Sequence, residues 1–490
     1  MDRSLKSKVA NASKWSIVTE LAAKLITPVL NMILARLLEP EAFGVLTTVT
    51  MVIAFAEVFV ESGFSKYLIQ HNFESPVQER QYMSVAFWIN ISLSIILWGL
   101  IALFNDQLAS LVGNPGMGHL LVVSGVSIPL YSIVGIECCK LKKDLNFKKL
   151  FSVRITSALV PLFVTVPLAL LKFDYWALII GNIAGIAVQA VLLMFIGNFK
   201  PQFFFSKAAF SEMFSFGIWT LLNGLAVWVT NWIDSLLIGR YMNDYYLGLY
   251  KNSTGMITSL FGMVTAAIVP VLFSSLSKMQ NDDDAFSEMY QNTVKNITMF
   301  VLPMGVGVCI FSDLATYVLF GSKWVEATSI VAISAITTAL RTVFISINGD
   351  VYRAKGHFKT PFILQLLDIS ITIPACYFAL MDGFWTFVYV RAISRLLFIV
   401  PEQCIIWKQC SINPKITFKK LVPVLTSTLI MGMIAFALHK LCNSLITQVI
   451  SIILCVIIYF ASLCIYRTER IFICSLSTPM NRKKRFGHEN

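Results

Sequence analysis

The chain has 490 residues, of which 57% are hydrophobic and only 13% charged, with a mean hydropathy of +0.72 and a formal net charge of +12. Because soluble globular proteins usually carry about 25% charged residues, this composition excludes a soluble domain, and also a soluble domain with one membrane anchor. The excess basic residues lie in short connecting segments, where they indicate membrane orientation rather than nucleic-acid binding.

Apolar runs recur along the whole chain, and at about 20 residues each is long enough to cross a hydrocarbon core of ~30 Å as a helix. Breaks at Pro, Gly and charged clusters predict an all-α, polytopic membrane protein with about 14 transmembrane helices. The predicted spans cover residues 15–36, 44–68, 82–104, 118–138, 150–171, 175–197, 211–238, 246–275, 290–311, 325–348, 361–380, 384–407, 419–438 and 445–466.

The connections between these spans alternate in their content of Lys and Arg. The two termini and the even-numbered connections carry 27 of these residues, whereas the odd-numbered connections carry only 5. Because Lys and Arg are enriched on the cytoplasmic side, both termini are predicted to face the cytoplasm. The outer connections are all too short to hold a catalytic domain.

One turn occurs twice in the chain. The stretches ARLLEPEAFGVL (35–46) and GRYMNDYYLGLY (239–250) each have Arg second and Gly tenth, at an offset of 204 positions. The same offset aligns predicted spans 1 and 2 with spans 7 and 8, which predicts two parallel, pseudo-symmetric six-helix lobes. The predicted domains are an N-lobe at 1–200, a C-lobe at 201–410, two further helices within 411–466 and a basic cytoplasmic tail at 467–490.

Both copies of the turn are predicted to lie at the outer face. Gly44 and Gly248 begin the second span of each pair, where close packing of two backbones favours Gly. Arg36 and Arg240 end the first span, where they can reach the headgroups or cap the last carbonyls. A sharper hypothesis is that the two tips meet as an outer gate when the protein is open to the inside.

Polar residues follow one face of predicted spans 1, 2, 7 and 8, with spacings of three and four residues in span 1. Ionisable groups are costly inside a bilayer, so these four faces are predicted to line one central cavity. The predicted polar residues of that cavity are Glu20, Thr27, Asn31, Glu57, Glu61, Asn231, Asp234, Thr254 and Thr258.

Four basic residues lie deep within predicted spans, namely Lys24, Lys251, Arg154 and Arg341. A cavity that they face would be cationic and would suit an anion such as a phosphate or a pyrophosphate. Alternatives stay open, since Lys24 can instead pair with Glu20 four residues earlier. Arg391 and Arg395 of span 12 can likewise brace the interior of their lobe.

Motifs that would indicate catalysis are absent from the sequence. It contains no Walker A motif, no HExxH or GxSxG motif, and no Cys/His cluster at metal-binding spacing. We therefore predict no enzyme activity, no catalytic residue, no metal site and no cofactor. The coupling ion, Na+ or H+, is left open.

Several stretches resemble a known group of transporters: LNMILARLLEPEAFGVL (30–46), GFSKYLIQ (63–70), SLLIGRYMNDYYLGLYKN (235–252), VPVLFSSLSKMQNDDDAF (269–286), GSKWVEA (321–327) and GDVYRAKGHFKTPF (349–362). Together with the predicted spans and lobes, they make the chain similar to the multidrug/oligosaccharidyl-lipid/polysaccharide exporter superfamily. Within it, the chain is most similar to the polysaccharide transporters of the Wzx flippase type. The resemblance covers almost the whole chain.

The resemblance implies a V-shaped, alternating-access transporter in a bacterial plasma (inner) membrane. Its implied cargo is an undecaprenyl-diphosphate-linked oligosaccharide, such as a repeat unit of O-antigen, capsule or exopolysaccharide, which moves from the inner to the outer leaflet. Carried over by position, Lys24, Lys251, Arg154 and Arg341 would bind the diphosphate–sugar head, and a groove by the last two spans would accept the lipid tail. Implied partners are the lipid-linked oligosaccharide, membrane lipids, and a polysaccharide polymerase with its chain-length machinery, but no nucleic acid.

Two other functions are weighed against this one. A cation-coupled multidrug exporter of the same superfamily would have twelve spans and an acidic, aromatic cavity, whereas this sequence predicts two extra spans and deep basic residues. A membrane glycan polymerase or ligase would need an extended outer loop, which the short outer connections do not provide.

Overall fold

A computed structural model describes residues 3–61, 63–197, 199–357, 359–441 and 444–466. The described chain is helical throughout and contains no β-strand, which confirms the prediction of an all-α protein. The predicted basic tail at 467–490 lies outside the described residues. The helices are α1 (Arg3–Leu37), α2 (Pro40–Val60), α3 (Phe64–Gln70), α4 (Pro76–Leu103), α5 (Asn105–Leu111), α6 (Gly118–Gly125), α7 (Ser127–Lys143), α8 (Phe147–Leu170), α9 (Asp174–Ile196), α10 (Lys207–Tyr241), α11 (Asp244–Lys278), α12 (Asp283–Ile310), α13 (Ser312–Phe320), α14 (Ala327–Phe344), α15 (Asn348–Ala354), α16 (Thr360–Asp382), α17 (Phe384–Leu397), α18 (Ile399–Cys410), α19 (Pro414–Leu441) and α20 (Leu445–Leu463).

Within the described residues, 12 helical segments are long and apolar enough to cross a membrane, so the chain is a multi-pass membrane protein. The 12 do not include α1 and α11, which correspond to predicted spans 1 and 8 and carry two of the polar faces. Both are continuous helices of 35 residues. The count of about 14 spans therefore stays a prediction.

The two copies of the repeated turn begin their second helix with different residues. Pro40 begins α2, where its missing N–H costs nothing because the first helical N–H groups have no partner within the helix. Asn243 caps α11, and its side-chain oxygen accepts a hydrogen bond from the Tyr246 backbone N–H at 3.0 Å. In both copies the second helix therefore begins within a few residues of the end of the first, which gives two tight hairpins.

Several predicted spans change helix partway along. Gly63, at φ +85°, lies in the interruption between α2 and α3, where only Gly adopts that backbone without strain. The fourth predicted span changes from α6 to α7 at Val126, and the twelfth changes from α17 to α18 at Phe398. By contrast α11, which aligns with α2 and α3 in the repeat, continues without a break.

The centre of the molecule is formed by α2 packed along α11, with α1 and α10 on either side of this pair. The largest cluster of buried apolar side chains joins these helices to α12 and α14. The last two long helices, α19 and α20, pack on each other and on α12 through a separate cluster that includes Met299, Met431 and Tyr459. This arrangement leaves pockets beside the central helices rather than one filled core.

Candidate functional site

A polar cavity of about 520 Å³ lies among α10, α11, α14 and α17. Most of its lining residues carry hydroxyl, amide or charged groups, which are costly within membrane-spanning helices and therefore mark functional sites. Six of the lining residues are among those that the sequence predicts to face the cavity. The described lining residues are Thr230, Asn231, Trp232, Asp234, Tyr250, Lys251, Thr254, Gly255, Thr258, Gly262, Thr265, Thr338, Arg341, Thr342, Ser346, Arg391 and Arg395.

Asp234 is the centre of a buried ionic cluster on the cavity wall. Its Oδ2 atom lies 2.9 Å from Arg391 Nε and 3.4 Å from Arg395 Nη2. The Tyr250 hydroxyl donates to the same oxygen at 3.2 Å. Because a buried ion pair offsets its desolvation cost only when its geometry is close and further hydrogen bonds support it, this cluster holds both arginines firmly at the wall.

Lys251 adds a positive charge that no contacting carboxylate among the described residues cancels. Its Nζ atom donates to the Asn231 carbonyl at 2.8 Å and lies 4.3 Å from the centre of the Trp232 ring. Both partners are neutral, so they orient the ammonium group without neutralising it. The positive charge of Lys251 is therefore available to a ligand in the cavity.

Arg341 brings a further cation to the cavity from α14. Its Nη1 atom is buried and has no hydrogen-bond partner among the described residues, which leaves a costly donor unsatisfied. With Lys251, Arg391 and Arg395, the lining has four cationic side chains against the one carboxylate of Asp234, a formal charge of +3. An anionic group would satisfy both the open donor and the excess charge.

Helix α1 reaches the same cavity from the first half of the chain. Lys24 Nζ donates to the Gly262 carbonyl at 3.0 Å, and Gly262 is part of the cavity wall. Of the other predicted residues of α1, Thr27 is exposed and Asn31 is half-buried, and neither lines this cavity. The Glu20 side chain lies outside the described side chains.

The remaining predicted site residues lie elsewhere in the first half. Arg154 is on α8 and is not among the described residues that line the cavity. Glu57 lines a second, smaller pocket, and Glu61 is exposed one turn further along the chain. The polar faces of α10 and α11 therefore line the polar cavity, whereas the Glu57 face of α2 lines the smaller pocket, because α2 packs along α11 and turns that face towards α6, α7 and α9.

The tips of the two hairpins are in direct contact. A Cβ atom added to Gly44 would overlap the carbonyl oxygen of Asp244, and one added to Gly248 would overlap that of Pro40. Positions 40 and 244 are themselves 204 apart, so the two contacts are equivalent under the sequence repeat. Only Gly permits this close backbone approach.

The arginines of the two tips make matching contacts across the halves. Arg36 of α1 donates to the Val318 carbonyl of α13 at 2.9 Å, and Arg240 of α10 donates to the Ser110 carbonyl of α5 at 2.7 Å. The Trp324 Nε1 atom also donates to the Ala35 carbonyl at 2.8 Å. These hydrogen bonds join the halves at the end of the molecule where both hairpins lie.

Replacing either tip glycine with Ala is expected to destabilise the protein. The added methyl group in Gly44→Ala or Gly248→Ala would push apart backbone segments that cannot move independently, at a cost of about 1–3 kcal/mol. Thermal unfolding of the purified protein would detect this as a lower melting temperature. Gly99→Ala is the matched control, because no atom lies within 4 Å of an added Cβ there, and equal melting temperatures for all three variants would contradict the close contact.

The opposite end of the central helices is also joined. Tyr67 and Tyr82 both donate through their hydroxyls to Glu212 Oε2 of α10, at 3.1 and 3.0 Å. Gly63 packs close to the Gly217 backbone of the same helix. The two halves of the chain therefore contact each other at both ends of the central helices.

An apolar groove of about 520 Å³ lies on the other side of α11, between α12, α13, α19 and α20. Leu260 of α11 faces the groove, whereas Thr258 and Gly262 of the same helix face the polar cavity. The groove is lined almost entirely by apolar side chains, including Phe300 and Val456. A polar site and an apolar groove therefore share one helix as their dividing wall.

Sequence reasoning missed part of the cavity. Arg391 and Arg395 stand four residues apart, and that spacing indicated a shared face but not whether the face is turned to the cavity or to the lobe interior. Thr338 and Thr342 stand four residues apart beside Arg341, and this spacing could have marked a polar face of α14, whereas Trp232 carries no such signal. The described residues contain no group of three or more His, Cys, Asp or Glu that could hold a metal ion.

Comparison with known proteins gives one matching family model and several relatives. Residues 33–329, more than half of the chain, match the model of a family described as polysaccharide biosynthesis protein. The chain is 26% identical over 330 residues to the succinoglycan biosynthesis transport protein ExoT of Rhizobium meliloti (strain 1021), covering 67% of this chain and 66% of that protein. It is 23% identical over 441 residues to the teichuronic acid biosynthesis protein TuaB of Bacillus subtilis (strain 168), covering 88% and 89%.

The fold itself has been seen in a solved structure. The lipid II flippase MurJ in an inward closed conformation superposes with a TM-score of 0.77 and 16% identity, covering 93% of this chain and 100% of that one. At this level of identity the likeness establishes the fold alone. It confirms the all-helical membrane fold that the sequence resemblance implied.

Proposed function

The chain belongs to the polysaccharide biosynthesis protein family, and from that membership we propose that it flips a lipid-linked oligosaccharide from the inner to the outer leaflet of a bacterial plasma membrane. The names of its relatives and of its structural neighbour support a cargo in which a glycan is joined to a lipid, since ExoT and TuaB belong to glycan biosynthesis and MurJ is a lipid II flippase. The cargo in this proposal is an undecaprenyl-diphosphate-linked repeat unit of O-antigen, capsule or exopolysaccharide. The protein acts as a transporter and not as an enzyme.

The observation that carries the proposal is the excess positive charge of the polar cavity. Lys251, Arg341, Arg391 and Arg395 face the same space as the single carboxylate of Asp234. Guanidinium groups bind phosphate oxygens through paired hydrogen bonds, and an ammonium group adds a point charge. A diphosphate would compensate this charge, and the hydroxyl and amide groups around it suit the attached sugars. Lys24 supports the wall at Gly262, whereas Arg154 is on α8 and acts on the head only if the halves rearrange.

The apolar groove is suited to the lipid tail of the cargo. Moving a prenyl chain from water to an apolar groove would release about 25 cal/mol for each Å² buried. A prenyl chain in a membrane is already out of water, so the groove would mainly offer it van der Waals contacts along a defined path. Because α11 is the wall between the groove and the cavity, a lipid in the groove and its head in the cavity would be neighbours. The predicted role of the last two spans, α19 and α20, fits this groove.

Alternating access would require the contacts at both ends of the central helices to break in turn. In this proposal, the hairpin tips with Arg36, Gly44, Arg240 and Gly248 form the outer gate, and Tyr67, Tyr82 and Glu212 bound the inner side. The moving units are the N-lobe at 1–200 and the C-lobe at 201–410, with 411–466 attached to the second. Both termini face the cytoplasm, as the distribution of Lys and Arg predicts. The polysaccharide polymerase and the chain-length machinery are proposed partners on the outer side.

A multidrug exporter of cationic compounds is the weaker alternative. Its substrates would enter a space with a formal charge of +3, which repels them. A glycan polymerase or ligase needs catalytic residues at the outer face, and the residues there make structural contacts between the halves.

Transport can be tested with the purified full-length protein in liposomes. A fluorescent undecaprenyl-diphosphate disaccharide placed in both leaflets is expected to become fully accessible to a membrane-impermeant reductant when the protein is present. Empty liposomes would leave the inner-leaflet half protected. If the protein-containing liposomes behave like the empty ones while a fluorescent organic cation is transported, the multidrug alternative replaces the proposal.

Filling the apolar groove is expected to slow flipping several-fold without unfolding the protein. Gly307 lines the groove, and no atom lies within 4 Å of an added Cβ, so Gly307→Trp places its ring in the empty space. Leu429→Trp is the matched control, because Leu429 is exposed on α19 and does not line the groove. Initial flipping rates in the liposome assay measure the effect. Equal rates for the two variants would argue against the groove as the path of the lipid tail.

A further inference from the structure

The first half of the chain encloses a pocket of its own, separate from the cationic cavity. It has a volume of about 60 Å³ and lies between α2, the α6–α7 span and α9. Its polar lining comprises the hydroxyls of Thr50, Ser124, Ser127 and Tyr131, the amide of Asn182 and the carboxyl group of Glu57. This space is large enough for one ion or a few water molecules but not for any part of a glycan.

Glu57 has no compensating charge. No hydrogen bond or ion pair to its carboxylate is present among the described residues, and no Lys or Arg lines the pocket. The ionisable groups that act on it are Glu61, one turn along α2, and Tyr131 on α7, while α9 presents only the neutral Asn182. A carboxylate in this setting is costly unless a cation neutralises it.

Ser124 supplies a second and independent observation. Its side chain is only 7% exposed, it lines the pocket, and its Oγ atom has no hydrogen-bond partner among the described residues. Native proteins rarely leave such a hydroxyl unsatisfied. The nearby Ser127 hydroxyl donates its proton to the Ser124 carbonyl at 2.7 Å, so the lone pairs of the Ser127 oxygen stay available to a ligand.

The span that carries these two serines has a one-residue irregularity at the pocket, where Val126 still keeps helical backbone angles (φ −57°, ψ −24°). Helix α6 ends at Gly125 and α7 begins at Ser127, with Val126 between them. The Val122 carbonyl accepts a hydrogen bond from Trp98 Nε1 at 2.9 Å, so a side chain takes part in satisfying the backbone here. An irregularity at this place is expected, because Pro129 has no N–H to donate to the Gly125 carbonyl.

The donor set selects the class of ligand. All the polar groups that line the pocket offer oxygen atoms, apart from the amide nitrogen of Asn182, and oxygen ligands suit hard cations. Ca²⁺ takes six to eight oxygen ligands and Mg²⁺ keeps several waters around it, whereas this small pocket has Glu57 as the only carboxylate among its described lining residues. One negative charge matches one monovalent cation.

The sequence repeat relates this pocket to the cationic cavity. The offset of 204 maps Thr50, which lines the small pocket, onto Thr254, which lines the cavity. The two halves therefore use corresponding faces of α2 and α11 to build sites of opposite sign, one that would bind an anion and one that would bind a cation.

We propose that the Glu57 pocket is a binding site for one monovalent cation, either Na+ or a proton, which neutralises the Glu57 carboxylate. The oxygen atoms of Ser124, Ser127 and Asn182 complete the site for Na+, and Glu57 alone is sufficient for a proton. Use of this ion to drive transport rests on the proposed flippase function, but its binding does not. A failure of the liposome flipping assay would therefore leave the binding test unaffected.

The sodium arm of the test measures radioactive Na+ bound by the full-length protein in detergent micelles at alkaline pH, with choline maintaining the ionic strength. Saturable binding of about one ion per chain is expected for the wild type and for the control Glu61→Gln, and its loss is expected for Glu57→Gln. Asn182→Leu is expected to weaken Na+ binding at least about tenfold, which corresponds to one lost ligand.

The proton arm measures melting temperature against pH without Na+. If Glu57 binds a proton in the folded protein, stability falls as pH rises, because the unfolded chain loses that proton more easily. Glu57→Gln is expected to remove this fall, whereas Glu61→Gln and Asn182→Leu keep it. The proposal is overturned if Glu57→Gln keeps both the sodium binding and the pH response of the wild type, or if the wild type has neither.

Discussion

Reversal of the charge at Lys251 is expected to abolish flipping while leaving the protein folded. Lys251→Glu places a carboxylate on the cavity wall and lowers the formal charge of the lining from +3 to +1. A hydrogen bond to a charged group contributes about 1.5–3 kcal/mol, so its loss alone slows transport about 10–100-fold, and repulsion of the cargo adds to this. Lys251→Arg is expected to retain most of the activity.

The measurements are the initial flipping rate in liposomes and the amount of surface polysaccharide in cells that carry each variant as the only copy. Lys278→Glu provides the matched control, because Lys278 is an exposed residue at the end of the same helix. Wild-type polysaccharide with Lys251→Glu at normal protein levels would show that the cavity does not bind the anionic head. The Lys24→Glu variant tests the same idea from α1.

Removal of the carboxylate at Asp234 is expected to lower the free energy of unfolding more than any of the other single substitutions described above. Asp234→Asn removes the negative charge that lies 2.9 Å from Arg391 Nε, so the buried guanidinium loses its charged partner, and the neutral amide oxygen is a weaker acceptor for the Tyr250 hydroxyl. Loss of one partner of a buried ion pair costs about 3–5 kcal/mol. The melting temperature and the yield of folded protein are expected to fall together.

A double-mutant cycle separates this cause from a general loss of packing. The double variant Asp234→Asn/Arg391→Gln removes both members of this ion pair, so it is expected to be less destabilising than the sum of the two single changes, although Arg395 still loses its contact with the carboxylate. Asp382→Asn removes an exposed carboxylate and is expected to have no effect. Strict additivity in the cycle would mean that the ion pair does not contribute to stability.

The sequence predicted the class of fold and much of the cavity for a physical reason. Charged and hydroxyl groups are so costly in a bilayer that Lys251, Asp234 and Thr254 signal a wet surface by their position alone. Hydrophobicity likewise marks spans such as α4 and α20 without any knowledge of their neighbours. These signals depend only on the membrane, which is the same for every helix.

The division of the polar residues between two pockets could not be predicted in the same way. It depends on how far each helix is rotated about its own axis, and only the packing of α2 along α11 fixes that rotation. For the same reason the sequence could not decide whether Arg391 faces the cavity, or where Arg154 points. The change of helix at Val126 did have a signal in the sequence, because Pro129 has no N–H to donate to the Gly125 carbonyl four residues earlier.

The hydrogen bonds at the outer tips have a consequence for how this protein can change over evolutionary time. Arg36, Arg240 and Trp324 all donate to carbonyl groups of the main chain, at Val318, Ser110 and Ala35. Every residue type offers that carbonyl, so mutations at the accepting positions leave these hydrogen bonds intact. Selection therefore acts on only one side of each contact. The accepting helices are free to drift in sequence, and relatives that share few residues with this chain can keep the same closure at this face.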